Sequence, residues 1–190
     1  MSRQIVAWHA EHLNFAHLLR LLEEQVTRFA QGESPDYTLM RDIVYYLRHF
    51  PDVHHHRYEN EVYERMRKRD SSLGPLVSRL LQEHRVIALC GDQLLTLLEA
   101  ASGEAVVARA DLETAAATYL VYYRAHIDAE EMQVAPHVAA TLHAADWVDV
   151  AATVEAKSRH DPLFGAQTEE RFRNLRLAIE REASAASGWK

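Results

Sequence analysis

The chain has 190 residues, 48% of them hydrophobic, with six glycines, five prolines, one cysteine and a formal charge of −7. That length suits one domain, and the composition is too apolar for disorder and too poor in breakers for an all-β protein. The acidic balance argues against nucleic acid or an anionic membrane as partner, and the single Cys90 excludes a disulfide framework or a thiolate-rich metal site.

The opening residues, Met1-Ser2-Arg3-Gln4-Ile5, lack the apolar run of a signal peptide. No stretch approaches the ~18 apolar residues of a membrane span, so the expected setting is the cytoplasm. The first helical seam runs Ile5, Trp8, His12, Phe15, Leu19, Leu22, Val26, Phe29, in steps of three and four. Gly32 ends it, and Ser34-Pro35 is expected to open the second helix as a cap followed by proline. That helix runs to about Arg69, with a kink expected at Pro51. Asp70-Ser71-Ser72 forms a turn. The third seam is Leu73, Val77, Leu80, His84, Ile87, Gly91, Leu94, Leu98, broken at Ala101-Ser102-Gly103. A fourth helix is expected from about Asp111 to His143, with Leu112, Ala116, Tyr119, Tyr123, His126, Glu130 and Val134 on one stripe. Short connections make neighbours antiparallel, so the reading is an all-α, up-down four-helix bundle over residues 1–145. Residues 146–190 read as a C-terminal helical extension packed on the bundle, interrupted at Arg159-His160-Asp161-Pro162.

Twelve histidines need an explanation, and the seams supply one. Polar residues stand where a core wants leucine: His12 on the first helix, His55 and Glu59 on the second, His84 on the third, His126 and Glu130 on the fourth. Positions i and i+4 lie about 40° apart around a helix, so each His-Glu pair points one way. The pattern also repeats. His12 and His84 are 72 positions apart, and His55–His126 and Glu59–Glu130 are each 71 apart. Both single histidines follow a glutamate, Glu11 and Glu83. A lone core histidine is usually a hydrogen-bonded packing residue; six such residues at constant spacing are not explained that way. Two buried carboxylates would be costly without a cation to hold them ionised. Imidazole and carboxylate without sulfur suit iron before manganese or zinc. A ferritin-like centre needs Glu-x-x-His on two helices, and no glutamate here has histidine at that spacing.

The segments Glu11-His12, His55-His56-Arg57-Tyr58-Glu59, Leu81-Gln82-Glu83-His84 and His126-Ile127-Asp128-Ala129-Glu130-Glu131 resemble the hemerythrin-like (HHE cation-binding) family over roughly residues 5–143. The resemblance implies a non-haem di-iron centre, carboxylate- and oxo- or hydroxo-bridged, held by His12, His55, Glu59, His84, His126 and Glu130. It implies a small diatomic or redox ligand: oxygen, nitric oxide or peroxide. Oxygen-carrying members place a second histidine one turn after the third-helix ligand, where this chain has Ala88. The sequence thus offers four histidines rather than five, which favours a sensor or redox and iron response over reversible oxygen carriage. The alternative is a di-iron enzyme consuming peroxide, though no general base or substrate pocket is legible. Of the remaining candidates, His54 and His56 are expected to project sideways, solvated or supporting. His9, His17 and Glu131 read as surface, and His160 as a residue that could cap the site.

Overall fold

The structure, a computed structural model, describes residues 3–103, 105–153 and 161–187. Among them every regular element is helical. Helix α1 (Arg3–Ala30) buries the inward seam from Ile5 to Leu22. It stops at Gly32, whose φ of 84° is left-handed backbone that favours glycine. Helix α2 (Tyr37–His49) begins at Asp36, not at Ser34-Pro35. The Asp36 carboxylate accepts the Leu39 N–H at 2.9 Å, which satisfies an amide that the first turn leaves free.

In place of a simple kink at Pro51, the chain makes a π-helical turn, Pro51–His55, before α3 (His56–Arg69). Proline has no N–H to continue the ladder, and the His56 N–H reaches back to the Pro51 carbonyl. After a short 3₁₀ turn, α4 (Gly74–Ser102) follows. The fourth expected helix is interrupted in the same manner: α5 (Arg109–Ala129), a π turn (Glu130–Val134) and α6 (Ala135–Thr141), with Pro136 just beyond the turn. Then come α7 (Ala144–Thr153) and α8 (Arg173–Ser187).

Helix α1 packs on α2 and α5, and α4 packs on the same two, so these four close a ring. Below them α3 meets α4, α6 and α7, while α8 lies on α2. The apolar interior is divided. One cluster gathers Phe15, Leu19, Met40, Tyr46, Leu94 and Tyr119, together with Leu163, Phe172, Leu175 and Ile179 from the C-terminal segment. The other gathers Ile5, Trp8, Tyr63, Met66, Val77, Val138 and Trp147. Each large side chain so buried contributes roughly 1.5–3 kcal/mol. Between the clusters lies a polar layer. No described helix is long and apolar enough to cross a membrane.

Candidate metal centre

All six expected residues are buried and converge in that layer: His12, His55, Glu59, His84, His126 and Glu130. Their donor atoms form two groups, within each of which the atoms lie no more than 4.8 Å apart. His12, His55, Glu59 and Glu130 make one. Glu59, His84 and His126 make the other, and its fourth member is His56. The expectation that His56 projects sideways, solvated or supporting, is therefore corrected. It is 5% exposed, and its ring stacks on that of His84, centroids 4.2 Å apart and 13° from parallel. The π turn explains the change. It winds less per residue than a regular turn, so Asp52, His55, His56 and Glu59 all reach inward. His54 does remain outside the layer, packed on Phe50.

The five inward rings are all held from behind. His12 Nδ1 lies 2.7 Å from Glu131, His55 Nδ1 2.5 Å from Glu11, and His126 Nδ1 2.9 Å from Glu83. His56 Nδ1 lies 2.8 Å from Asp52, and His84 Nδ1 2.9 Å from the Asn60 oxygen. Carboxylates and amide oxygens only accept, so Nδ1 of His12, His55, His84 and His126 carries the hydrogen and their Nε2 is left to take a proton or a metal ion, while Asp52 Oδ1 lies near His56 Nδ1 without a hydrogen bond. The glutamates that precede the single histidines thus work crosswise, Glu11 on the second helix's histidine and Glu83 on the fourth's. Trp8 adds an indole N–H that reaches Glu59 Oε1 at 2.6 Å and His12 Nε2 at 2.9 Å. Neither Trp8 nor these partners stood out in the sequence, although the Glu-His dipeptides hinted at two of them. Glu131 is not a surface residue only, since it bridges exposed His9 and buried His12. His17 is partly covered and bonds Glu182 of α8 at 2.7 Å. His160 lies outside the described residues.

Whether the layer fits a cation is decided by what its inward atoms face. His12 Nε2 and His55 Nε2 are 3.1 Å apart. With both hydrogens on the outer nitrogens, two lone pairs oppose each other there, which is repulsive unless a proton or metal ion stands between. Glu59 Oε2, His84 Nε2, His126 Nε2 and Glu130 Oε1 are buried with no hydrogen-bond partner. Orphaned buried polar atoms cost roughly 1–3 kcal/mol each, and a cation in each group would remove that cost. The electrostatics agree. Burial alone would push His12 down, yet the carboxylates of Glu130 and Glu59 raise it to about 11. His55 rises to about 9, with burial again overcome, here by Glu59 and Glu11. Burial and the nearby Glu59 charge push Glu130 up to about 8, while Glu59 is held well below the usual carboxylate range by the histidines around it, against its burial. In the second group burial lowers His56 and His126, and neighbouring His84 adds to it. The first group therefore attracts positive charge as protons, while in the second His56 and His126 favour the neutral form, the one that binds metal.

The sequence profile of the hemerythrin HHE cation binding domain matches residues 3–138. The chain belongs to the hemerythrin HHE cation-binding family. No curated protein and no solved structure matches it. The all-helical architecture fits the hemerythrin fold, and the buried His/Glu groups fit a family that binds metal cations. Within the hemerythrin-like pattern the fifth nitrogen comes from an unexpected place. Ala88 leaves α4 with His84 and no second histidine one turn on; an additional imidazole facing the layer is that of His56, at the start of α3.

Proposed function

We propose that this hemerythrin-like domain is an up-down four-helix bundle holding two irons. His12, His55, Glu59 and Glu130 serve one, and His56, His84 and His126 with the shared Glu59 serve the other. The observation that carries this reading is a set of five buried imidazoles around one interior, four of them hydrogen-bonded through Nδ1 to an outer oxygen and the fifth, His56, with Nδ1 2.8 Å from Asp52. Nitrogen and oxygen donors without sulfur suit iron, and Cys90 belongs to neither group. A loaded centre of this kind supplies redox chemistry toward oxygen, nitric oxide or peroxide. The protein's own side chains keep Glu59 ionised and fix the orientation of four of the imidazoles. The layer lies between two apolar clusters, and the pockets that reach it, past Trp8 and His55 on one side and His56 and His84 on the other, suit small ligands. All inward carboxylates are committed to the cluster, which leaves none placed as a general base for a larger substrate. We therefore assign the domain to sensing or to a redox or iron response in the cytoplasm, rather than to substrate turnover. The test is elemental analysis of protein expressed in iron-rich medium. About two irons per chain is expected; less than half an iron after gentle reconstitution overturns the proposal, and a single zinc replaces it with a simpler site.

A further inference from the structure

We infer that Arg48 is a positioning residue for metal binding by His56, acting through Asp52. The inference rests on the reading of His56 as a metal donor. Asp52 sits in the π turn, its side chain only 11% exposed. One of its oxygens faces His56 Nδ1 at 2.8 Å, and the other is ion-paired with Arg48. Arg48, at the end of α2, does not end there. Its Nε and Nη2 both reach Asp92 Oδ1 on α4 at 2.8 Å. Its aliphatic stem crosses Gly91, where an added Cβ would overlap the Arg48 side chain and crowd Tyr119. The guanidinium is thus fixed from both ends, stem against α4 and charge between two aspartates.

The physical consequence runs in one direction. A carboxylate as enclosed as Asp52 stays in place when a cation balances it. Held there, its charge stays 2.8 Å from His56 Nδ1 and favours the tautomer with its hydrogen on that nitrogen and the Nε2 lone pair free for a metal. Without Arg48, the Asp52 side chain swings toward water and the His56 ring loses its orientation. The repeat gives no substitute. Positions 71 residues after Asp52 and His56 are Tyr123 and Ile127, so this triad exists on one side of the layer alone.

The experiment uses the full chain, loaded anaerobically with ferrous iron, comparing wild type with R48M, R48K and G91A. Bound iron, the affinity for each equivalent and the optical bands of the azide-treated oxidised protein are read, with circular dichroism as the folding control. R48M keeps the stem and removes the charge. It is expected to weaken the second iron roughly 10–100-fold, as removal of an outer partner does, while the first is retained. R48K should recover most of that loss. G91A displaces Arg48 without touching a polar group and should weaken the same iron, which keeps the proposal testable should R48M fail to fold. Two irons bound by R48M with wild-type affinity and unaltered azide bands overturn the role of Arg48 and leave the site reading standing. A wild-type chain that binds a single iron overturns the His56 reading, and this inference with it.

Discussion

The two groups of the polar layer are built as copies and finished differently. His12 corresponds to His84, His55 to His126, and Glu59 to Glu130, and the outer supports correspond as well: Glu11 to Glu83, and Asn60 to Glu131. The departures from symmetry are chemical. The first group has an extra carboxylate behind His12, where the second has a neutral amide behind His84. The second has the additional imidazole of His56. The first is consequently rich in negative charge and gathers protons, while the second is rich in uncharged nitrogen. One fold can therefore offer two neighbouring cation positions with different donor sets.

The shared residue offers the largest break. Glu59 belongs to both groups, so Glu59→Ala should strip both metals and lower the melting temperature, because metal-binding energy in such a site is partly folding energy. Glu59→Ala protein that still holds one metal would show that the halves are independent. A sharper cut is selective. His12→Ala should cost the first metal and His56→Ala the second, each leaving about one metal per chain by elemental analysis. His56→Ala protein with both metals would return His56 to a supporting role.

A third prediction compares the halves by their protons. His12 and His55 are raised above their ordinary value, to about 11 and about 9, and Glu130 to about 8. At pH 7 all three hold protons in the metal-free protein, and metal must displace them. Filling the first position should release protons, and its apparent affinity should climb as pH rises toward 9. The second position, with His56 and His126 lowered, should release few and change little. Calorimetric titration in buffers of different ionisation heat measures the count directly; equal release from both halves would contradict the asymmetry. The smallest expected effect is at the outer supports. Glu11→Gln and Glu83→Gln each keep shape and lose charge, and each should weaken its own metal by about tenfold. A change confined to one half under both substitutions would mean that the crosswise pairing is wrong.

Most of the site was legible because it obeys regular helical geometry. His12, His55, Glu59, His84, His126 and Glu130 sit at seam positions, and spacing alone brings them inward. His56 was not legible, because a regular helix sets it about 100° from His55. The π turn narrows that angle and shifts the register, and Pro51 in the sequence announced an interruption without stating its kind. The same holds for the fourth helix, where the break before Pro136 splits an apparently continuous stripe. The outer supports depend on which helices become neighbours, which no local pattern specifies. Asp36 outcompeted Ser34 as a cap because its carboxylate meets the third amide of the helix.

The upper apolar cluster does not end where the family match ends. Leu163, Phe172, Leu175 and Ile179 enter the same interior as Phe15 and Tyr46, and the Tyr46 hydroxyl donates to Asp161 at 3.0 Å. A fragment trimmed at residue 145 would keep every metal donor and lose one wall of the room above them. Its exposed face would include Tyr46 and Phe50, aromatic and adjacent, inviting self-association. Boundary choice for expression should therefore follow the packing out to α8 and not the length of the family match.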